Sequence, residues 1–273
     1  MDRLSTLLTH FGVNAGTFHS GAFCGVSAYG GEQACGHVHL LQAGEVLLKP
    51  GNDPELTLNE PTLIFFPRPL AHRLFADESM GTQLVCASLT FDGGSGNALA
   101  SALPDYLVLK LTDIPELGST LAWLFKEAFD GHCGREAVMD RLFELLVILL
   151  LRHLISRRDQ QPGMMAGLAD PRLSRALALM HDEPARAWSV AELAAAANQS
   201  RAGFAEHFRR VVGQTPLDYL LSWRISLAQK RLREGRPIAL IAEEVGYDSP
   251  SALARAFRRK TGQSPRQWKA EAR

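Results

Sequence analysis

At 273 residues the chain has room for two domains with full cores, and its 29 Lys and Arg are balanced by 29 Asp and Glu. The zero net charge conceals a division: residues 171–273 hold 18 Lys and Arg against 10 Asp and Glu, while residues 1–170 hold 11 against 19. Such polarity suits a C-terminal part that meets phosphate and an N-terminal part that does not.

The opening Met1-Asp-Arg-Leu4 lacks the basic, apolar, small-residue plan of a secretory signal. The one long apolar run, Leu142–Leu151, is interrupted by Glu144, flanked by Arg141 and Arg152, and too short to span a bilayer. These features predict a cytoplasmic protein with no membrane partner, whose four cysteines are mostly reduced at rest.

From about Gly21 to Leu111, short apolar runs alternate with turn-forming Gly, Pro and Asn. The runs Val38–Leu41, Glu45–Leu48, Glu55–Leu58, Thr62–Phe66, His72–Phe75, Gln83–Phe91 and Tyr106–Leu109 predict strands. Such a series implies an all-β barrel or jelly roll, either filled by side chains or holding one small ligand. Two helical patterns follow, over about Glu116–Phe129 and Arg135–Ser156. In the second, Leu142, Leu145, Leu146, Leu149 and Leu150 recur at helical spacing, with more apolar residues between them than one core-facing stripe needs. This predicts a helical dimerisation arm, with Leu146 and Leu149 in a contact between two copies of the chain. Residues Arg157–Gly167, polar and then broken by Pro162 and Gly163, read as a linker. The expected division is 1–158, a linker at 159–170, and 171–273.

The last seventy residues say nearly the same thing twice. Phe204-Ala-Glu-His-Phe-Arg-Arg-Val-Val-Gly-Gln-Thr-Pro216 returns 49 positions later as Leu253-Ala-Arg-Ala-Phe-Arg-Arg-Lys-Thr-Gly-Gln-Ser-Pro265. Each copy follows a short Ala-containing helix and a turn, which predicts two helix-turn-helix units. In the first, Ser189 caps a helix over Val190–Ala197, and Ser200 caps a second that stops at Gly213. Phe204, Phe208 and Val211 are expected to bury together, turning Ala202, Ala205, Glu206, Arg209 and Arg210 outward. In the second unit the supporting helix is Pro237–Val245, ended by Gly246, and Ser249 caps a helix with Leu253 and Phe257 inward. Ser251, Ala254, Arg255, Arg258 and Arg259 then face outward.

The tandem Phe-Arg-Arg-x-x-Gly-Gln-[Thr/Ser]-Pro signature, with Ile241-Ala-Glu-Glu-Val-Gly-Tyr247 before the second reader, resembles the AraC/XylS-type transcription regulators over about residues 171–270. His39–Gly44, Leu63–Pro67 and Ala71–Leu74 resemble the cupin-type sensor common in these regulators. The resemblance implies an α+β fold in two domains: an N-terminal cupin-like β-barrel with a helical dimerisation arm, then an all-α tandem helix-turn-helix domain. It also implies a homodimer that binds double-stranded promoter DNA, engages RNA polymerase if it is an activator, and carries no cofactor. Residue by residue, the reading positions fall on Ala202, Ala205, Glu206 and Arg209, then on Pro250, Ser251, Ala254, Arg255 and Arg258. Arg255 suits bidentate readout of guanine, while Arg201, Arg210, Arg259 and Lys260 suit phosphate contacts that set register.

Two further constellations bear on the signal. His37, His39, Glu45 and His72 echo the metal ligands of cupin enzymes, but Glu45 lies six positions after His39 where that motif has four or five. His37, His39 and His72 therefore stand as metal candidates against the plainer reading of histidines packed in a metal-free barrel, and an enzyme is not expected. Cys24 and Cys86 are similar in placement to the redox-active pair of the regulator subgroup that responds to reactive chlorine species, whereas Cys35 and Cys133 have no counterpart. Oxidation of these cysteines and a small-molecule inducer in the barrel both fit the sequence.

Overall fold

The computed structural model describes residues 2–30, 35–94, 97–157 and 161–271. It contains two compact units, one of Val13–Phe91 and Leu103–Leu154, the other of Met1–Gly12, Asp92–Ala102 and Ile155–Arg273.

The first unit is built on two antiparallel sheets. One has the order β1 (Val13–Ala22), β8 (Gln83–Phe91), β3 (Gly36–Ala43), β6 (Thr62–Phe66), β9 (Leu107–Lys110). The other runs β2 (Gly25–Tyr29), β7 (His72–Ala76), β4 (Val46–Pro50), β5 (Leu56–Leu58). Leu41, Ile64, Phe66, Leu84 and Cys86 of the larger sheet share one buried cluster with Val46, Leu48, Leu74 and Ala76 of the smaller. The expected barrel is corrected here: among the described residues no ladder joins the two sheets, so each keeps its edges. Burying two inner faces against each other forms a core without closure.

All seven predicted strands form. The sequence missed β1 and β2, because β1 has no fully buried position and so no apolar alternation to detect. It also bulges at Phe18, where the pairing with β8 slips between Thr17 and His19. Helices α3 (Gly118–Phe129) and α4 (Arg135–Ser156) follow. Asp140 of α4 accepts from the Thr17 amide at 2.7 Å, and Glu144 from the Ala15 amide at 3.4 Å, so the helix satisfies donors along the edge strand β1. Leu142, Leu146 and Leu150 are buried at 4%, 1% and 1% exposure, which makes Leu146 core and corrects its expected place in a dimer contact. Leu149 is half-buried, and the apolar side chains that α3 and α4 leave in the open are Trp123, Phe129 and Leu145.

The second unit contains α1 (Ser5–His10), α2 (Ala98–Ser101), α5 (Met164–Ala169), α6 (Ser174–Asp182), α7 (Val190–Ala196), α8 (Arg201–Val212), α9 (Pro216–Arg233), α10 (Ile238–Glu244), α11 (Pro250–Thr261) and α12 (Pro265–Glu271). The expected boundaries at 158 and 170 are thus drawn differently. Two N-terminal segments join the C-terminal helices: Leu7 and Phe11 are fully buried, and Phe11 meets the Trp223 ring edge-on at 5.2 Å. Residues 164–169 of the expected linker form α5 with Met164, Met165 and Leu168 buried, because this stretch carries the apolar side chains that the polar start of the segment lacks. Residues 159 and 160 lie outside the described residues.

Candidate nucleic-acid interface and sensor layer

The two helix-turn-helix units are built by the same local chemistry. In the first, Ser189 and Glu192 cap reciprocally: the Glu192 amide donates to Ser189 Oγ at 3.2 Å and the Ser189 amide donates to Glu192 Oε2 at 2.8 Å. Both turns close with one bond, Gln199 N–H to Ala194 C=O at 2.9 Å and Tyr247 N–H to Ala242 C=O at 2.8 Å. The residue before each donor is left-handed, Asn198 at φ 54° and Gly246 at φ 79°. Gly246 admits no side chain, since a Cβ would lie 2.4 Å from the Ala185 carbonyl oxygen. Ser200 and Ser249 then accept from the amides of Gly203 and Ala252 at 3.2 Å each. The helices that follow, α8 and α11, are both 12 residues long and stop at left-handed Gly213 and Gly262.

The buried stripe of α8 is Phe204, Phe208 and Val212, with Val211 half-buried. The expected Val211 is corrected to its neighbour because the stripe advances four residues at each step. Arg201, Ala202, Glu206, Arg209 and Arg210 of α8 are exposed, as are Pro250, Ser251, Arg255, Arg258, Arg259 and Lys260 of α11. Ala205 and Ala254 are half-buried.

Charge pairing separates two kinds of arginine. Arg186 pairs with Glu183 and Glu192, Arg231 with Glu234 and Glu244, and Arg236 with Glu244. Arg224 of α9 donates to the carbonyls of Pro184 at 2.6 Å and Arg186 at 2.8 Å. By contrast, Arg201, Arg209, Arg210, Arg255, Arg258 and Lys260 enter no ion pair among the described residues. Their charge is available to an outside anion. Helix α9, 18 residues and so about 27 Å long, packs against α8, α10, α11 and α12 and spans the two units.

In the sheet unit, His37 and His39 point inward from β3, and His72 faces them from β7; all three are buried. His72 Nδ1 lies 2.7 Å from the Leu70 carbonyl oxygen and so carries the proton that it donates there. A neutral His72 then accepts at Nε2 from His39 Nε2–H, 2.9 Å away. Tyr29 stacks on His72 at 5.1 Å and Phe66 at 3.7 Å. Burial lowers the pKa of His37, holds His39 well below its usual value with help from His72 and His37, and brings His72 down to about 4. Two imidazoles bonded to each other do not offer both lone pairs to one ion. Among the described residues no group of three or more His, Cys, Asp or Glu could hold a metal, so the histidine set does not fit a cupin metal centre.

Cys86 lies across from His19 on β1 and His39 on β3, fully buried, and burial pushes its thiol pKa well up. Cys24 and Cys133 are exposed, and Cys35 is half-buried. The sheet does not bring Cys24 and Cys86 together. Ala22 pairs with Gln83, three residues or about 10 Å of strand from Cys86, and Cys24 lies beyond Ala22. A disulfide needs Cα atoms within about 7 Å.

Reading the sequence also missed Asp170, Gln199 and His207. His207 Nε2 lies 2.9 Å from Asp170 Oδ2, and its Nδ1 lies 3.3 Å from Gln199 Oε1. The available signal was a break in the repeat, because His207 stands where the second copy has Ala256.

A family model described as Cupin matches residues 2–156, and one described as a helix-turn-helix domain matches residues 193–271. The chain is 47% identical over 188 residues to an AraC-like transcription regulator of Streptomyces lividans, covering 67% of this chain and 61% of that protein. A Streptomyces antibioticus relative of the same description is matched over 43% of its length, so the chain spans about two-fifths to three-fifths of these two relatives. The chain is 30% identical over 240 residues to RclR of Escherichia coli strain K12, an RCS-specific HTH-type transcriptional activator, covering 86% of this chain and 84% of that protein. Among solved structures, the DNA-binding domain of AdpA in complex with a target DNA is 34% identical, covering 38% of this chain and 94% of that one, with a TM-score of 0.35. The relatives named here are transcription regulators, not enzymes. The chain belongs to the AraC-type transcription regulators, with an N-terminal cupin domain and a C-terminal helix-turn-helix domain.

Proposed function

We propose that the protein is a sequence-specific regulator that binds double-stranded promoter DNA through α8 and α11. The observation that carries this reading is the set of arginines without ion pairs among the described residues on two equally capped, equally long helices, beside Arg186, Arg224, Arg231 and Arg236 of the same unit, which are committed to internal partners. Arg255 and Arg209 are the base readers, accompanied by Ala202, Ala205, Glu206, Ser251 and Arg258. Arg201, Arg210, Arg259 and Lys260 hold phosphates. With about four phosphates neutralised, log affinity should fall against log salt with a slope near −4. Titrating a duplex selected from random sequence by the full chain, at several salt concentrations, tests this. A flat slope or no selected sequence refutes it.

Assembly and signal belong to the same proposal. Exposed Trp123, Phe129 and Leu145 on α3 and α4 suit a contact between two copies, and an activator would also engage RNA polymerase. The signal is an oxidant acting on Cys24 and Cys86, supported by the resemblance to an RCS-specific activator. Buried Cys86 then reacts as a thiol that becomes polar within an apolar layer, and no direct bond to Cys24 is required. A neutral small molecule held by the aromatic and imidazole side chains between the sheets is the alternative, favoured by the buried Nδ1 atoms of His37 and His39, which have no partner among the described residues. A reporter promoter in Cys86→Ser cells separates the two, since only the oxidant reading loses its response to hypochlorite.

A further inference from the structure

The two copies of the repeat differ at one inward-facing polar position. Ala256 in α11 is buried, as its place on that helix's inner side requires. Its counterpart His207 in α8 is an imidazole with only 11% of its side chain exposed, and the helix provides no partner for it from its own sequence. The partner comes from the end of α5 within the same unit. Asp170 follows α5, and its Oδ1 closes the turn before α6 by accepting from the amides of Arg172 at 2.8 Å and Leu173 at 3.0 Å. Its Oδ2 is left to accept from His207 Nε2–H at 2.9 Å. The other ring nitrogen meets the side-chain amide of Gln199, in the turn that precedes α8. Gln199 Nε2 is buried with no partner among the described residues, so turning the amide over would let it donate to His207 Nδ1.

The same segment grips α8 at its far end. The Gly163 amide donates to the Val211 carbonyl at 3.0 Å, satisfying one of the carbonyls that the end of a helix leaves free. At Gly167 a Cβ would lie 2.5 Å from Leu177 Cδ1 and 2.9 Å from Val212 Cγ2, so α5 lies close against both α6 and α8. Two ties from this segment, to the middle of α8 and to its end, converge on the first reader helix, and Gln199 in the turn before α8 adds a third. The second reader has no equivalent imidazole.

We propose that Asp170 and His207 are a positioning pair that seats the first reader helix, so that the end of α5 sets the geometry of one half of the DNA interface and not the other. This rests on the DNA-binding reading above. A buried hydrogen bond to a carboxylate holds a helix more tightly than the apolar contact that replaces it in the second unit. Both side chains face the interior, at 11% and 18% exposure, and not the outward face of α8.

The test uses the full chain with Asp170→Asn, which keeps an oxygen to close the turn before α6, with His207→Ala, which copies the second repeat, and with both together. Hydrogen exchange of α8 peptides is expected to quicken about tenfold in each single variant, with α11 peptides unchanged and the double variant no faster than either single. On a duplex selected by the wild type, footprint protection is expected to weaken in the half bound by α8 alone. Equal changes in α8 and α11, effects that multiply in the double variant, or no change in exchange overturn the proposal. If the wild type selects no duplex, the DNA-binding reading fails, while exchange still decides the pair.

Discussion

Acid should loosen the sheet unit before it affects the carboxylates, and His72 is the reason. Its imidazole is 2% exposed, stacked between aromatic rings and bonded as a neutral group to Leu70 and His39. Burial lowers its pKa from 6.5 to about 4. A lowered folded-state pKa means that the unfolded chain takes up a proton between these values while the folded chain does not. The stability is therefore complete above about pH 6.5 and is lost as pH falls toward 4. At about 1.4 kcal/mol for each unit, the whole window amounts to about 3 kcal/mol, with about 2 kcal/mol gone by pH 5. With a urea dependence of about 2 kcal/mol/M, the midpoint should fall by about 1 M between pH 8 and pH 5. His72→Phe keeps an aromatic ring in the stack and removes the proton site, so its midpoint should vary less with pH, whatever its level at pH 8. Equal midpoints for the wild type at the two pH values, or an unchanged pH response in His72→Phe, would refute the reasoning.

Arg255→Ala should relax base preference at one or two operator positions at a cost of about 1–3 kcal/mol, whereas Lys260→Ala should weaken all duplexes alike and flatten the salt slope by about one; competition against scrambled duplexes separates them. Trp123 is 56% exposed on α3, so Trp123→Arg should give monomers with an unchanged melting temperature by sedimentation and calorimetry, and a fall in melting temperature would show that the residue is core instead. Cys24 is exposed and Cys86 fully buried, so thiol trapping in the native chain should label Cys24 first and leave Cys86 until the sheets open; prompt labelling of Cys86 would contradict its place in the core.

The helical half was legible in sequence because its instructions are local. Ser189, Ser200 and Ser249 cap, Gly213, Gly246 and Gly262 stop, and each acts within a few residues of its own position. The seven apolar strands were legible for the same reason. What escaped depends on distant partners. β1 is stabilised by pairing with β8 and by carboxylates of α4 more than 120 positions away. The docking of Phe11 against Trp223 joins residues over 200 apart, and Leu146 faces inward because of the layer it meets and not because of its own spacing. The outward faces of α8 and α11 followed from helical period, and the reading positions on them from the resemblance to the AraC/XylS-type regulators. The separation of free from committed arginines did not, since it required knowing where Glu192 and Glu244 would come to rest.

Hydroxyl-radical footprinting on the selected duplex tests the central claim most directly. Two reader helices joined by α9 predict two protected patches on one face of the DNA, one helical turn or about 34 Å apart, with the far patch lost first in Arg255→Ala or the near one in Arg209→Ala according to which helix covers it. A single protected patch, or two that both fade equally when either arginine is removed, would contradict the account.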